Sequence, residues 1–512
     1  MLVKVFGAAV QGIKATLITI EVNCSRGIRF LLVGLPDTSV KESHERIVSA
    51  LEVNGLNFPR QQIVINMSPA DIRKEGSAYD LPLAVGILAA AGSIHSDKLN
   101  EYLIMGELSL DGDILPLRGA LSIAVMAKEN GFKGFILPME NAREAAVVEG
   151  LDVYGVQNIR DVAAFFNEKS GLSPTVVDIH REFLDHNSIF EYDFSEVKGQ
   201  ENVKRALEVA AAGGHNIIMV GPPGSGKSMM AKRMPSVLPP FTFEEALETT
   251  KIHSVAGRNE MNQSLMSRRP FRAPHHTISD IAMVGGGSYP QPGEISLAHN
   301  GVLFLDELPE FSRNVLEVMR QPLEDRKITI SRARFSVDYP ASFMLVAAMN
   351  PCPCGYHNHP DKICVCPPGA VQKYLNRISG PLLDRIDIQI EIVPVPFDKI
   401  SDCKPAEKSS DISKRVVKAR GIQMDRFRKV KGVYCNAQMS SKMLHSYASP
   451  DDTGLKLLKT AMERLSLSAR AYGRILKVSR TIADLDDSET IQPAHLAEAI
   501  NYRNLDRESW AG

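Results

Sequence analysis

The 512-residue sequence has almost no excess of charge of either sign. It carries 59 Lys and Arg against 60 Asp and Glu, so its net charge is −1 at pH 7. A chain with so little net charge has no bulk attraction for nucleic acid, and any contact of that kind has to come from local basic patches. The apolar fraction of 44% is ordinary for a globular protein, and the length predicts about three domains.

The sequence also lacks features that direct a chain to a membrane. Its longest apolar run, 81–92, contains Pro82 and is too short to span a bilayer. The first residues do not show the charged-then-apolar layout of a signal peptide. We therefore expect a cytoplasmic protein with no membrane partner. Its seven cysteines are expected to be reduced or metal-bound rather than paired in disulfides.

One stretch, 221–228, carries the phosphate-binding P-loop pattern G-x-x-x-x-G-K-S. It follows an apolar run, 216–220, that is typical of a buried strand, and it precedes a glycine-free segment that can begin a helix. Glycines let the backbone N–H groups surround phosphate oxygens, the lysine adds charge for the β- and γ-phosphates, and the serine hydroxyl binds Mg²⁺. The predicted nucleotide-binding residues are Gly221, Pro222, Pro223, Gly224, Ser225, Gly226, Lys227 and Ser228.

The remainder of the nucleotide site is predicted at the ends of two further strands. A buried-strand pattern over 301–305 ends in Asp306, which can order the Mg²⁺ shell, and Glu307, which can polarise the attacking water. Another strand pattern, 342–349, ends at Asn350, whose amide can hydrogen-bond the water or the γ-phosphate. Open α/β sheets bind ligands at the carboxyl ends of their strands. We therefore expect these side chains to meet the P-loop.

Hydrophobic patterning divides the chain into three blocks and a linker. Residues 1–168 mix strands and helices, and 169–191 have the polar composition of a linker. Residues 192–396 hold the nucleotide site and a Cys-rich loop, 352–366, and residues 397–512 are mostly helical. The expected fold class is α/β, with a P-loop core, an N-terminal α+β domain and a C-terminal helical domain.

Two segments of the first block, 73–81 and 112–121, resemble the catalytic domain of Lon-type proteases. In that family the first segment carries the nucleophilic serine and the second carries the lysine that activates it. Here the serine position falls at Ala78 and the lysine position at Leu121, while Ser77 lies one residue early. Because a Ser–Lys dyad needs hydrogen-bond contact between its members, we expect a Lon-like fold without peptidase activity.

Three further segments, 271–277, 292–308 and 377–387, resemble the YifB/ComM family of magnesium-chelatase-like AAA+ ATPases. The likeness covers essentially the whole chain, including the Lon-like front, and implies a helical lid after the ATPase core. It implies a ring-forming, hexameric motor that uses ATP and Mg²⁺. ComM members act as helicases that promote branch migration of recombination intermediates in natural transformation. The implied partners are single-stranded or branched DNA and further copies of the chain.

The resemblance also assigns roles to individual residues. The implied catalytic residues are Lys227, Glu307, the sensor Asn350, the arginine finger Arg385 and the second sensor Arg470. An arginine finger is supplied by a neighbouring subunit and stabilises charge on the γ-phosphate in the transition state.

Alternatives remain for both arginines. Arg385 can instead form an ion pair with Asp384 or Asp387, in which case Arg377 is the reserve finger. Arg470 can be an ordinary surface charge of a helix, and Arg474, one turn further on, can take its place.

A basic β-hairpin is predicted over 325–335, where apolar residues bracket a Ser-Arg-Ala-Arg turn. Related helicases project such a hairpin toward DNA, so Lys327, Arg332 and Arg334 are candidate phosphate contacts. Charge alone predicts a solvated basic hairpin equally well.

Two C-x-C pairs lie across a nine-residue loop. Their cysteines, Cys352, Cys354, Cys364 and Cys366, can close a tetrahedral zinc site. The spacing within each pair is tighter than the usual zinc pattern, His357 and His359 are alternative ligands, and four reduced thiols are the other interpretation. We predict structural zinc.

Two other functions share the same ATPase core. One is the motor of a metal chelatase, but such motors do not ordinarily carry a Lon-like front. The other is a protein-remodelling or proteolytic machine, against which Ala78 and Leu121 argue. The sequence therefore favours a DNA motor.

Overall fold

The computed structural model describes residues 1–169, 171–179, 190–258, 264–287, 290–332, 335–357, 359, 361–395, 406–430, 432–465 and 467–503. The chain forms two compact units. Unit 1 comprises Met1–Asp185 and Phe243–Ser267, and unit 2 comprises His186–Thr242 and Arg268–Gly512. Residues 170 and 180–189 of the predicted linker lie outside the described residues.

Unit 1 is built on a mixed sheet. Its strands are β1 (Leu2–Gln11), β2 (Lys14–Ser25), β3 (Phe30–Val33), β4 (Gln62–Ser68), β5 (Tyr102–Ile104), β6 (Glu107–Leu108), β7 (Ile114–Leu115), β8 (Gly134–Pro138) and β9 (Asp152–Val156). Seven of them form one sheet in the order β3-β4-β2-β1-β5-β8-β9, and β6 pairs with β7. Strand β2 is antiparallel to both β1 and β4, whereas the pairs toward β9 are parallel.

Helices cover this sheet. They are α1 (Thr38–Lys41), α2 (Ser43–Val53), α3 (Asp80–Ala90), α4 (Ala120–Glu129), α5 (Met139–Ala145) and α6 (Ile159–Phe166). After its first residue, Asp80, helix α3 is apolar around its whole circumference, and every one of its residues is buried, which is the pattern of a core helix. It packs against β1 and β2, whose inward residues form the core of unit 1 with it.

The chain enters unit 2 and then returns to unit 1. The first elements of unit 2 are α7 (Glu201–Gly213), β10 (Ile217–Val220) and α8 (Lys227–Arg233). Helix α9 (Phe243–Ala256) then packs against α4, and Leu265 joins the core of unit 1. The predicted ATPase block, 192–396, thus contains a segment that folds with unit 1.

Unit 2 contains a five-stranded parallel sheet and two hairpins. Its remaining strands are β11 (Phe271–Arg272), β12 (Gly285–Gly286), β13 (Gln291–Pro292), β14 (Val302–Leu305), β15 (Lys327–Arg332), β16 (Phe335–Pro340), β17 (Met344–Met349) and β18 (Ile388–Glu391). The parallel sheet has the order β11-β14-β17-β10-β18, and the hairpins are β12–β13 and β15–β16. This mixed α/β architecture with a parallel sheet confirms the α/β class and agrees with an AAA+-like core.

The remaining helices of unit 2 fall into two groups. Those between the strands are α10 (Asp280–Val284), α11 (Glu294–Leu297), α12 (Arg313–Val318), α13 (Arg320–Asp325), α14 (Ala370–Leu375) and α15 (Gly380–Leu383). Those after the sheet are α16 (Ser409–Phe427), α17 (Ser441–Tyr447), α18 (Asp452–Arg464), α19 (Ala469–Leu485) and α20 (Pro493–Asn501). Helices α16 and α19 pack against α7 and share one hydrophobic core with the parallel sheet.

Short 3₁₀ helices connect several of these elements. They span Ser77–Tyr79, Leu99–Glu101, Phe194–Glu196, Met234–Ser236, Leu308–Glu310 and Asn436–Gln438. Among the helices in the described part of the chain, none combines the length and the apolar composition needed to cross a membrane.

Candidate functional site

The P-loop connects the buried strand β10 to helix α8, which is the context that the motif requires. Gly224 and Gly226 have φ angles of 78° and 87°, in the left-handed region that favours glycine. These conformations curl the loop around the N-terminus of α8, whose unpaired N–H groups can bind phosphate oxygens.

Lys227 lies at the centre of this loop. Its ammonium donates to the carbonyls of Gly221 and Pro222 at 2.8 and 2.9 Å and to Oδ1 of Asn350 at 3.2 Å. Burial lowers the pKa of Lys227, while the charge of Asp306 acts in the opposite direction. The ammonium is therefore desolvated and directed into the loop, where a phosphate charge can pair with it.

The acidic pair lies beside the P-loop serine. Asp306 Oδ2 accepts a hydrogen bond from Ser228 Oγ at 2.5 Å, and its Oδ1 accepts from the Glu307 backbone N–H at 2.9 Å. A hydroxyl and a carboxylate in contact are the donor set with which P-loop ATPases hold Mg²⁺. The predicted partnership of Ser228 and Asp306 is therefore present in the geometry.

Glu307 occupies an uncommon backbone conformation. Its φ of 51° is in the left-handed region, although it is not a glycine. Such strained residues are concentrated at functional sites. The turn leaves its side chain 56% exposed next to the P-loop, where the carboxylate can accept a proton from water.

Strand order explains why these groups meet. Strand β17 lies between β14 and β10 and is parallel to both, so the P-loop, Asp306 and Asn350 follow three adjacent strands at the same edge. The Gly221 N–H also donates to the carbonyl of Met349, directly before Asn350. The residues predicted to bind the nucleotide therefore meet at the carboxyl ends of the strands, where open α/β sheets bind ligands.

A histidine without a predicted role lies beside Glu307. His276 Nδ1 is 3.5 Å from Glu307 Oε2, and its ring packs against that of His275 at a tilt of 33°, with 4.1 Å between ring centroids. His276 and Glu307 are 31 positions apart in the sequence. The adjacent pair of histidines was the only sign in the sequence that His276 could belong to a site.

Arg385 lies at the opposite edge of the sheet from the P-loop. Strand β18 pairs with β10 in parallel, with Ile388 opposite Ile217, so Arg385 precedes the amino end of the strand. Its side chain is 13% exposed, and the guanidinium pairs with the carboxylate of Glu324 and donates to the carbonyl of Pro381 at 2.7 Å. Neither aspartate that flanks it in the sequence is the partner of its guanidinium.

The other arginines differ in their surroundings. Arg470, in the first turn of α19, is 63% exposed and its Nη1 is 4.0 Å from Asp384. Arg474 instead pairs with the buried carboxylate of Asp387. Arg377, the reserve finger, pairs with Glu310 at 2.8 Å. Arg470 is thus the arginine of α19 that is available to a ligand, and it lies at the same edge as Arg385.

The basic hairpin is formed by β15 and β16. Ile328, Ile330 and Tyr339 bury one face, and the Tyr339 hydroxyl donates to the carbonyl of Pro290 at 2.7 Å. Lys327 lies at the base, 54% exposed, with its ammonium 3.9 Å from Asp338. The predicted hairpin is therefore present and anchored.

The other two basic residues predicted for the hairpin are Arg332 and Arg334. Arg332 ends β15, but its side chain lies outside the described part of the structure, as does the whole of Arg334.

The four cysteines of the Cys-rich loop converge. Their sulfur atoms all lie within 4.8 Å of one another, and they are the group of potential metal ligands found in the described residues. Three of the separations are 3.3, 3.5 and 3.8 Å. A tetrahedral zinc site with bonds of about 2.3 Å has ligands about 3.8 Å apart, so the cluster fits zinc.

One ring nitrogen of the alternative ligand His359 is already used. Its Nδ1 accepts hydrogen bonds from the backbone N–H groups of Asp361 and Lys362 at 3.0 and 3.1 Å. The Cys-rich loop also contacts the P-loop through Gly355. A Cβ added to this glycine would lie only 2.5 Å from Cδ of Pro223, so the two loops are packed closely together.

The Lon-like dyad positions carry no catalytic groups. Ala78 packs against the core of unit 1, and Leu121 is fully buried with its backbone N–H donating to the Glu144 carboxylate at 3.0 Å. Ser77 begins a short 3₁₀ helix.

Comparison with known proteins places this chain among magnesium-chelatase-like proteins. Residues 193–400 match the family described as magnesium chelatase, subunit ChlI, and residues 20–141 match subunit ChlI of Mg-chelatase. Residues 406–503 match the family described as magnesium chelatase, subunit ChlI C-terminal.

Full-length relatives include competence protein ComM of Haemophilus influenzae. It is 43% identical over 513 residues, which cover 98% of this chain and 97% of the relative. The Escherichia coli K12 protein YifB is 44% identical over 98% of this chain and 96% of its own length. Lon protease 2 of Bacillus subtilis is 28% identical over 145 residues, which cover 28% of this chain and 26% of that protein.

Proposed function

Because this chain belongs to the YifB/ComM family of magnesium-chelatase-like AAA+ ATPases, we propose that it is an ATP-driven, ring-shaped DNA motor of the cytoplasm. It promotes branch migration of recombination intermediates, as in natural transformation. The observation that supports this most strongly is the likeness to competence protein ComM over nearly the whole chain. Lys227, Glu307 and Asn350, grouped at one edge of the parallel sheet, would hydrolyse the ATP that drives such a motor.

Hydrolysis follows from the positions of the chain's own groups. The loop N–H groups and the Lys227 ammonium bind the β- and γ-phosphates, since both are directed into the same loop. Ser228 and Asp306 would hold Mg²⁺, which neutralises developing phosphate charge when bound. Glu307 accepts a proton from the attacking water, and Asn350, in contact with Lys227, orients the water or the γ-phosphate.

The position of Arg385 supports hydrolysis between subunits. Asn216 lies level with Arg385, and five residue steps separate it from the first glycine of the P-loop. At about 3.3 Å per residue, these five steps span roughly 17 Å. An arginine side chain cannot cover that distance to its own γ-phosphate. Arg385 and Arg470 would instead serve the nucleotide of a neighbouring copy, which a closed ring brings to this edge.

The β15–β16 hairpin is proposed as the DNA grip. A ring brings the Arg332 and Arg334 side chains of several subunits into one channel, together with Lys327 at each hairpin base. Each phosphate that they neutralise releases condensed counterions, so DNA affinity should fall steeply as salt rises. Phosphate contacts fix position without reading bases, so binding is expected to be sequence-tolerant.

The cysteine cluster is proposed as a structural zinc site. Zinc held by four thiolates would stabilise a loop that begins two residues after Asn350 and touches Pro223 of the P-loop. The Lon-like domain is proposed to lack peptidase activity, because neither a nucleophile nor a base stands at the dyad positions, and function depends on the site rather than the fold.

An ATPase assay tests the proposed function. The assembled full-length protein is incubated with ATP and Mg²⁺ alone, and then with single-stranded, duplex or branched DNA at equal nucleotide concentration. We expect stimulation by single-stranded or branched DNA. Hydrolysis that is indifferent to every DNA but stimulated by an unfolded protein would favour protein remodelling instead.

A further inference from the structure

Arg385 is held at its backbone as well as at its tip. Its carbonyl accepts hydrogen bonds from Nδ2 of Asn216 at 3.1 Å and from Nη1 of Arg474 at 3.2 Å. The same Nη1 of Arg474 pairs with Oδ1 of Asp387. Two donors on one carbonyl fix the peptide that carries the proposed finger, independently of the contact between the guanidinium and Glu324.

The carboxylate behind this arrangement is buried. Asp387 is 4% exposed, and its Oδ2 accepts from the Asn216 N–H at 3.1 Å and lies 3.4 Å from Nδ1 of His215. Burial raises the pKa of Asp387, but Arg474 and His215 beside it hold the pKa well below its usual range. The aspartate is thus an anion with a partner on each side.

His215 connects this carboxylate to helix α19. Its ring is fully buried, and Nε2 lies 2.8 Å from Oγ1 of Thr481 in that helix. Arg474 belongs to the same helix, so α19 contacts Asp387 both directly and through the histidine.

Asn216 connects the same cluster to the strands of the nucleotide site. Its Oδ1 accepts from the backbone N–H of Leu345 in β17, and it directly precedes β10. At their other ends, β17 leads to Asn350 and β10 leads to the P-loop. The anchor of Arg385 is therefore part of the rigid sheet that carries the nucleotide site of the same subunit.

We propose that Asp387 and Arg474 are positioning residues for Arg385. Their ion pair holds the finger's backbone against the amino end of the sheet, so that only its side chain moves from Glu324 to a neighbour's γ-phosphate. The inference rests on the proposed finger role. Arg474 then acts without contacting nucleotide. Helix α19, which belongs to the predicted lid, determines the position of Arg385.

Stability alone is a weak account of this pair. Desolvation of two charges offsets much of their attraction, so a buried ion pair stabilises a fold less than its contacts suggest. The ion pair instead fixes the position of the Arg385 carbonyl.

The test uses Asp387→Asn and Arg474→Lys in the assembled full-length protein. A misplaced finger is expected to lower kcat for ATP by about 10- to 100-fold. Binding of a fluorescent ATP analogue should change by less than about twofold, because the phosphate loop is untouched. Mixing either variant with Lys227→Ala subunits should restore hydrolysis. The Lys227→Ala subunits supply a correctly placed finger, and the test variant supplies the intact P-loop next to it.

Asp484→Asn is the matched control. Asp484 is also buried in α19 and pairs with an arginine, with Oδ2 accepting from Arg426 Nη1 at 2.8 Å, but its described contacts do not include Arg385. This variant should lose thermal stability as Asp387→Asn does while keeping kcat within about twofold of the parent.

Three outcomes would overturn the inference. The first is parental kcat in both assembled test variants, and the second is lost activity that Lys227→Ala subunits do not restore. If Asp387→Asn fails to assemble, Arg474→Lys, which keeps the charge, decides alone. The third outcome, parental kcat in Arg385→Ala, would contradict the proposed finger itself and is thereby distinguishable from the other two.

Discussion

Replacement of Arg385 by alanine should abolish hydrolysis in a uniform ring while leaving ATP binding intact. The guanidinium lies at the edge of the sheet opposite the P-loop, so its loss does not alter the subunit's own phosphate contacts. Arginine fingers contribute about 10³- to 10⁵-fold to kcat in related phosphoryl transfers. The expected result is an assembled variant that binds nucleotide as tightly as the parent and turns it over at background rate.

Mixing this variant with Lys227→Ala gives a quantitative expectation. In a random equal mixture, half of the subunits offer an intact P-loop and the other half an intact finger. An active interface needs one of each in the correct order, so about a quarter of the interfaces are complete. If interfaces act independently, the mixture should regain about a quarter of the parental rate, although each variant alone is inactive. The assay measures phosphate release across a series of mixing ratios.

The same series can refute the reasoning. A finger that acted on its own subunit's nucleotide would leave every subunit of the mixture defective, and no ratio would recover activity. Full-rate hydrolysis by an isolated, verified monomer would be equally damaging. Arg377→Ala, which removes the exposed partner of Glu310, serves as a control and should keep the parental rate.

Three further predictions concern the other sites. Glu307→Gln should bind ATP but lose at least about 100-fold in kcat, whereas Glu310→Gln should not, and comparable turnover in the two variants would remove Glu307 from its role. Metal analysis should find about one zinc per chain, which Cys364→Ser/Cys366→Ser loses and Cys24→Ser retains; zinc-free parent protein would contradict the assignment. An unfolded protein substrate should remain uncleaved with or without ATP, and cleavage that disappears in Ser77→Ala would show that the Lon-like domain is a peptidase after all.

Local patterns were sufficient to predict which side chains of the candidate site meet. Buried apolar runs identified β10, β14 and β17, and the rule that parallel strands expose ligands at their carboxyl ends brought Lys227, Asp306 and Asn350 together. The predicted hairpin and the C-terminal helices are also present, since both follow from short-range periodicity.

Contacts between distant parts of the chain could not be predicted in this way. The carboxylate partner of Arg385 is Glu324, 61 residues away, rather than a flanking aspartate. The return of α9 to unit 1 likewise depends on how apolar faces pack in three dimensions. The cluster of His215, Asp387 and Arg474, two of them buried, joins three segments whose meeting is determined by the tertiary fold.

Movement of a DNA branch is the measurement that tests the central claim most directly. The assembled protein is given ATP, Mg²⁺ and a labelled branched substrate at subsaturating concentration, and strand products are followed over time. We expect ATP-dependent branch migration by the parent. With Arg332→Ala/Arg334→Ala we expect slower migration, weaker DNA binding and a smaller salt slope, with unchanged basal ATPase. An assembled parent that hydrolyses ATP yet neither binds DNA nor moves the branch would contradict the DNA-motor account.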